Sequence, residues 1–291
     1  MGSKKEAILK TLLYSDLFDY PLTEEEIYKF LIFQKIDKDQ FSKLLENKNL
    51  PIDRLNNFFF LKGREKIVKA RLMKEKFSLE KLEKAKNVIR FLGLIPTIKL
   101  IGISGTLAVM NCKKDDDIDI FVIAENKLVW TTRFFTAIML IFLGVYRNKN
   151  STANNNKICL NLLLDENKMQ FTNYDLFTAH EIVQLLPIFD RDKTYQKFIK
   201  ANTWINKIFP NFKIINQPLI KKQLNLFDKL FIFICKNLFI EIIFKTAQLF
   251  YMKKSITRER LEDDFIGLHP FDYKSYILRK YNARISKFSL K

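Results

Sequence analysis

The feature that most constrains this chain is a pair of aspartates in a stretch that is otherwise apolar. Asp117 and Asp119 flank Ile118, and apolar residues 120–123 follow. Because side chains of a β-strand alternate between its faces, a spacing of two directs both carboxylates to the same side of a sheet. Two neighbouring carboxylates there are costly unless a cation neutralises them. The pair therefore predicts a strand that carries a divalent cation, and Mg²⁺ prefers one or two carboxylates together with phosphate oxygens and water.

A small turn precedes this pair in the sequence. The apolar strand 98–103 leads into Ser104, Gly105 and Thr106, and a short helical pattern follows. Glycine lets the backbone approach a phosphate, while a hydroxyl and the amides at a helix start can hold its oxygens. We therefore interpret Ser104, Gly105 and Thr106 as candidate ligands of a triphosphate.

Together, this turn and the Asp117-Ile118-Asp119 strand resemble the signature of the DNA polymerase beta-like nucleotidyltransferases in order, context and spacing. The resemblance covers residues 98–166. It implies transfer of a nucleoside monophosphate from an NTP to an acceptor, with Mg²⁺ or Mn²⁺ bound by Asp117 and Asp119. The whole chain is also similar to uncharacterised bacterial proteins in which a winged-helix-like region precedes such a domain, which implies no particular acceptor.

The family's third carboxylate is expected on a later strand, and there the sequence departs from the pattern. Strand 158–164 carries Asn161 at the fitting place. Asp165 shares its odd parity, so we predict Asp165 as the substitute catalytic base, with Glu166 as a further alternative. Since an amide cannot take a proton at neutral pH, a second function stays open: a catalytically weak nucleotide- or nucleic-acid-binding regulator on the same scaffold.

Other polar residues have weaker interpretations. Lys157, Arg191 and Lys193 are candidates for triphosphate contacts because such sites need positive charge, and surface solvation is the alternative. His180 and Glu181 lie in a helical pattern without a second histidine at i+4, so no metal site is expected there.

Hydrophobic periodicity divides the chain into four parts, and the resemblance gives the third part its expected identity. They are a winged-helix-like domain at 1–64, a connecting helix at 65–97, an α/β mixed-sheet nucleotidyltransferase core at 98–170 and a helical C-terminal domain at 171–291. Within the first part, Thr23 and Glu26 have the spacing of a capping box at a helix start.

Charge and apolar segments bear on partners. The formal charge is +18, and residues 171–291 hold 21 basic and 11 acidic side chains. Such an excess attracts RNA or DNA, although AT-rich coding bias produces a similar composition. Segments 128–146 and 230–251 are apolar but interrupted by charges, so they predict buried helices and no integral membrane span. Three unpatterned cysteines and an N-terminus without signal-peptide features predict a cytoplasmic protein.

Overall fold

The structure is a computed structural model that describes residues 2–47, 49–147, 155–214, 217–253, 259–268 and 272–288. It has a mixed α/β architecture with two sheets, in agreement with the alternating helical and strand patterns of the sequence.

The N-terminal part combines three helices with a small antiparallel sheet. Its elements are α1 (Gly2–Ser15), β1 (Leu22–Thr23), α2 (Glu24–Lys29), α3 (Lys38–Leu45), β2 (Ile52–Leu55) and β3 (Phe58–Leu61), and the sheet order is β1-β3-β2. The predicted capping box is confirmed. The Thr23 hydroxyl accepts a hydrogen bond from the Glu26 amide at 3.2 Å, and the Glu26 carboxylate accepts one from the Thr23 amide at 2.8 Å. This reciprocal pair satisfies two amides at the start of α2.

The long helix α4 (Lys66–Leu92) leads to a seven-stranded mixed sheet. The remaining elements are β4 (Ile98–Ile103), α5 (Gly105–Ala108), β5 (Ile118–Ala124), α6 (Val129–Phe142), β6 (Ile158–Asp165), α7 (Leu176–Gln184), β7 (Leu186–Asp190), α8 (Thr194–Ala201), α9 (Ile205–Ile208), β8 (Ile220–Lys221), α10 (Leu226–Asn237), α11 (Ile240–Met252), β9 (Arg260–Leu261), β10 (Phe265–Gly267) and α12 (Tyr273–Lys287). The strand order is β8-β7-β4-β5-β6-β10-β9. Strand β5 is antiparallel to β4 and parallel to β6, so the aspartate strand is central.

The large sheet separates two hydrophobic cores. On one face, Ile120 and Val122 of β5 pack in a core with α4 and α6. On the other, Phe121 and Ile123 pack in a core with α1, α7 and α8. Asp119 has the parity of Phe121, so it faces the second core. The candidate site therefore lies on the side of the sheet that α1, α7 and α8 cover.

The sequence predicts a helical domain at residues 171–291, but this C-terminal part also contains strands. Four of the seven strands, β7 to β10, come from this part, so residues 98–170 do not form the sheet alone. Strand β7 reads Leu-Pro-Ile-Phe-Asp and is almost completely buried. A short apolar run without polar alternation cannot be distinguished from a buried helix by periodicity, which explains the error.

The segment 230–251, predicted as one buried helix, forms parts of two helices, α10 and α11, that meet at residues 238 and 239. Both helices leave large apolar side chains exposed. Among the described residues, no helix has the length and apolar character needed to cross a membrane.

Arg191 is a structural residue and not a phosphate ligand. Its side chain is fully buried after β7, and its guanidinium donates to the carbonyl oxygens of Gly93, Ile95, Pro96 and Ile98. These carbonyls belong to the connection between α4 and β4. The single guanidinium therefore fixes the entry of the chain into the central sheet.

We expect Arg191→Met to lower the free energy of unfolding by about 3 kcal/mol, because several buried carbonyl oxygens lose their donor at once. Urea denaturation of both proteins measures this difference. Lys197→Met, at an exposed position of the neighbouring α8, is the matched control and should leave the midpoint nearly unchanged. Equal midpoints for Arg191→Met and the wild type would contradict the assigned role.

Candidate functional site

The turn after β4 lies directly against an aspartate of β5. The Ser104 amide donates to the Asp119 carbonyl oxygen at 3.0 Å, which continues the β4–β5 pairing into the turn. Gly105 has a φ of +64°, and a Cβ at this position would lie 2.9 Å from Oδ2 of Asp119. Glycine is therefore required here both by the left-handed backbone and by the close approach of the carboxylate.

Three side chains form a compact cluster of ligand atoms at the start of β5 and β6. One ligand atom each of Asp117, Asp119 and Cys159 lies within 4.8 Å of the others. The cluster forms because the parallel register of β5 and β6 pairs Asp119 with Cys159. Cys159, which was not predicted as a site residue, thus lies directly beside Asp119.

A positive side chain lies next to this cluster. Nη1 of Arg147 lies 2.7 Å from Oδ2 of Asp117 and donates to Sγ of Cys159 at 3.2 Å. The guanidinium therefore compensates part of the negative charge of the two aspartates. The sequence analysis missed Arg147 because it lies outside both motifs and is brought here only by the pairing of its amide with the Ile158 carbonyl oxygen.

Burial changes the ionisation of Asp119 and Cys159. Burial and the charge of Asp117 raise the pKa of Asp119 to about 7, and a hydrogen bond from Cys159 opposes this shift. Burial, followed by the charge of Asp119, raises the pKa of the Cys159 thiol to about 12. At neutral pH Asp119 is therefore close to half protonated, while Cys159 is a thiol.

A β-bulge determines where Asn161 lies. Ile120 pairs with Leu160, whereas Phe121 pairs with Leu162, so Asn161 is an extra residue in β6. Its side chain is buried, its Nδ2 donates to Oγ of Ser104 at 3.2 Å, and it lines the same cavity as Asp119. Its Oδ1 has no hydrogen-bond partner among the described residues.

The same bulge removes Asp165 from the site. Beyond the extra residue the parity of β6 is inverted, and Asp165 pairs with Ala124 on the face opposite Asp119. Ala124 follows Asp119 by five residues, or about 16 Å along the strand. The Asp165 carboxylate instead accepts from the amides of Lys127 at 2.6 Å and Asn167 at 2.8 Å. Asp165 was predicted as catalytic base because it was expected on the same face as Asp119, and the structure places it on the opposite face.

Glu166, the further alternative, is also engaged elsewhere. Its Oε1 accepts from the Asn126 amide at 3.1 Å, and its Oε2 lies 3.9 Å from Nζ of Lys99. Both contacts lie beyond the carboxyl end of β5, away from Asp119.

A cavity of about 820 Å³ extends from Asp119 over the face of the sheet that α1 and α7 cover. Its polar lining includes Ser104, Gly105, Thr106, Asp119, Asn161 and Glu181. Much of the remaining wall is aromatic, with Phe121, Phe171 and Phe198 among its residues. The cavity therefore combines polar groups around Asp119 with an apolar interior.

Glu181 is another carboxylate of this cavity, and it was not predicted as a site residue from the sequence. The Glu181 side chain projects from α7 into the cavity. Protein atoms surround it on all sides, but solvent reaches it through the cavity. Burial raises the pKa of Glu181 to about 7, and the charge of Asp119 adds to the shift. No local motif marks Glu181, since only the folding of α7 over the sheet brings it near Asp119.

The other polar candidates have structural contacts. The His180 ring stacks on Tyr14 with centroids 4.1 Å apart, and burial lowers its pKa to about 3. Thr106 is exposed, with its hydroxyl 3.3 Å from Sγ of Cys112. Nζ of Lys157 donates to the Gly144 carbonyl oxygen at 2.7 Å. Of the predicted phosphate ligands, only the turn at residues 104–106 lies at the cavity.

Comparisons of the chain with models of protein families, with curated proteins and with solved structures found no match.

Proposed function

We propose that the chain is a divalent-metal-dependent nucleotidyltransferase that moves a nucleoside monophosphate from an NTP to the hydroxyl of an acceptor. The observation that carries the proposal is the clustering of Asp117 with Asp119, together with the position of Asp119 and the Gly105 backbone at the wall of a large cavity. The sequence resemblance to polymerase beta-like nucleotidyltransferases supports the same reaction.

The donor set fits Mg²⁺ or Mn²⁺ through oxygen atoms. Asp117 and Asp119 offer two carboxylates, and these ions complete their coordination with phosphate and water oxygens. The Cys159 sulfur is a soft ligand and is held as a thiol by burial, so it does not suit Mg²⁺. When bound, the ion supplies positive charge that stabilises the triphosphate and its leaving group.

The protein groups have separate roles in this proposal. Gly105 leaves room for phosphate oxygens beside Asp119, and Arg147 offers a guanidinium that can turn from Asp117 to a phosphate. The acceptor occupies the cavity, where Glu181 accepts the proton of its hydroxyl. The acceptor oxygen forms a bond to the α-phosphorus, the bond from the α-phosphorus to the bridging oxygen breaks, and pyrophosphate leaves.

The position of the transferred label tests the reaction class. Wild-type protein is incubated with Mn²⁺, a cell extract and ATP or another NTP labelled at either the α- or the γ-phosphorus. Nucleotidyl transfer leaves the α-label on the acceptor and the γ-label in pyrophosphate. Transfer of the γ-label to an acceptor would indicate phosphoryl transfer and would contradict the proposal.

A second function, nucleotide binding with little turnover, is favoured by one observation. The place of a third carboxylate is occupied by Cys159, and Arg147 already neutralises Asp117. Calorimetry that detects Mn²⁺-dependent NTP binding by a protein that transfers no α-label would support this alternative.

A related alternative is a regulator that binds nucleic acid. It is supported by the N-terminal helices and sheet, which resemble a winged-helix domain, and by the basic residues 171–291. It requires RNA or DNA binding that weakens steeply as salt increases.

We expect the affinity for Mn²⁺ to fall about tenfold between pH 8 and pH 6, because Asp119 has a pKa of about 7 and a protonated carboxyl is not a metal ligand. The charged or titratable groups that face the Asp119 carboxyl include Asp117, Cys159, Arg147 and Glu181. The Cys159 thiol stays protonated between pH 6 and pH 8. Electron paramagnetic resonance of free Mn²⁺ measures the affinity. Asp119→Asn should bind weakly with little pH dependence, and Glu181→Gln should retain the dependence. An affinity equal at both pH values in the wild type would exclude Asp119 as the titrating ligand.

A further inference from the structure

Helices α6, α10 and α11 form a layer on the sheet face opposite the cavity, and their outward side chains are unusually apolar. The side chains of Phe142, Leu226, Phe227, Phe250 and Tyr251 are 85%, 79%, 81%, 84% and 86% exposed. Scattered apolar residues are normal on a protein surface, but large aromatic side chains this exposed on neighbouring helices mark an interaction surface.

The internal contacts of the layer bring Phe142, Phe250 and Tyr251 to one end. Helices α6 and α11 run in the same direction, since the Trp130 amide donates to Glu241 at 2.7 Å and Phe134 stacks on Phe244 with centroids 4.0 Å apart. Their carboxyl ends, which carry Phe142 and residues 250–251, are therefore adjacent.

Helix α10 folds back along α11. Only residues 238 and 239 connect the two helices, and Phe231 of α10 and Phe244 of α11 both contact Phe135. The start of α10, with Leu226 and Phe227, therefore belongs to the same layer as α6 and α11, and its side chains add to the exposed apolar surface of that layer. We call the surface formed by Phe142, Leu226, Phe227, Phe250 and Tyr251 the apolar end.

The chain segment that carries most of the apolar end is rich in lysine, although Lys236 and Lys245 are paired with Glu125 and Asp263. Residues 221–253 contain six lysines and two acids, Asp228 and Glu241. The Asp228 carboxylate accepts from the Asn225 amide, and the Glu241 carboxylate accepts from two amides at the start of α6, so both acids are used within the layer. Lys229 and Lys253 are exposed beside the apolar residues. The surface is thus apolar at its centre and basic at its border.

We propose that the apolar end binds to the surface of an anionic lipid bilayer, with its aromatic and leucine side chains in the interface and its lysines at the lipid headgroups. Amphipathic helices with Phe and Leu on one side and lysines beside them bind membranes in this way without crossing them. A second copy of the chain fits less well. A two-fold interface would place this surface against itself and bring the lysines of both copies together. The inference does not depend on the proposed catalytic activity.

Flotation with lipid vesicles tests this surface. Full-length protein is mixed with vesicles of phosphatidylcholine alone or with added phosphatidylserine. We expect binding to the anionic vesicles, weaker binding at high salt, and a loss of at least about tenfold in affinity for Phe227→Ser/Phe250→Ser/Tyr251→Ser. The matched control Met73→Ser/Phe91→Ser/Leu94→Ser removes three apolar side chains that are about half exposed, at residues 73–94, and should bind like the wild type.

A second variant separates the two components of binding. Lys229→Glu/Lys253→Glu retains every apolar side chain and should lose most of the preference for anionic over neutral vesicles. The inference is overturned if the wild type does not float with anionic vesicles, or if the control substitutions reduce flotation as much as those at the apolar end. A wild-type dimer that ignores vesicles and dissociates in the Phe227 variant would likewise overturn it in favour of self-association.

Discussion

Asp117→Asn/Asp119→Asn is expected to abolish Mn²⁺-dependent NTP binding and to lower nucleotidyl transfer by roughly 10³-fold or more, because the proposed metal loses both of its protein carboxylates. The substitution preserves the shape of the side chains and removes only their charge. Transfer of the α-label measures the activity, and electron paramagnetic resonance measures the bound Mn²⁺. The two measurements together distinguish loss of the metal from loss of the reaction alone.

The single variant Asp119→Asn should be at least as stable as the wild type in metal-free buffer. Burial and the charge of Asp117 raise the pKa of Asp119, so removal of the Asp119 charge relieves an unfavourable interaction and leaves the pair of Arg147 and Asp117 intact. Asp115→Asn, at an exposed position three residues before β5, is the control and should change neither activity nor Mn²⁺ binding. If the double variant retains wild-type transfer, Asp117 and Asp119 are not the metal site.

Cys159→Asp is expected to raise nucleotidyl transfer about 10²-fold, because it places a carboxylate beside Asp119 at the position of the missing third acid. The added group can bind the metal or accept the proton of the attacking hydroxyl. Rates of α-label transfer at saturating Mn²⁺ measure the gain. Cys159→Ser keeps the size of the side chain without the charge and should give no gain.

Asn161→Asp is the informative comparison for this gain. The sequence suggested Asn161 as the replaced acid, and its side chain donates to Ser104 and lines the same cavity as Asp119, but Cys159 and not Asn161 is paired with Asp119 across β5 and β6. We therefore expect little gain from Asn161→Asp. A larger gain there than at Cys159 would reverse the assignment, and no gain at either position, with NTP binding intact, would favour the binding function.

The part of the site that can be predicted from sequence is the part defined by local patterns. The alternation around Asp117 and Asp119 indicates their strand and shared face, and Gly105 marks the turn that contacts Asp119. These inferences need only the period of a strand and the conformational freedom of glycine.

The rest of the site depends on pairings between distant segments. The bulge at Asn161 inverts the parity of β6, which the sequence does not signal, so Asp165 was assigned to the wrong face and Cys159 was overlooked. Glu181 enters the site only because α7 covers the sheet. Strand register and helix packing depend on contacts between distant segments, so they cannot be predicted from the residue spacing within one segment.

Helical periodicity had a similar limit for the C-terminal part. The apolar residues of 230–251 indicated helices, but they did not indicate which helix faces pack against the rest of the protein. The same apolar residue types occur on faces that pack in a protein core and on faces that contact lipid. The strongly exposed side chains of Phe250 and Tyr251 became apparent only when α11 was placed against α6.

Arg147 provides a positive partner for the aspartate pair when no metal is bound. Its guanidinium is a tethered counter-ion at 2.7 Å from Asp117, so the folded chain does not need a free cation to tolerate the two acids. Binding of the proposed metal ion would then exchange one positive partner of Asp117 for another, and a chelator should remove the ion without unfolding the protein. The guanidinium released from Asp117 remains close enough to meet the phosphates that arrive with the ion, which would link the arrival of the ion to the capture of the nucleotide.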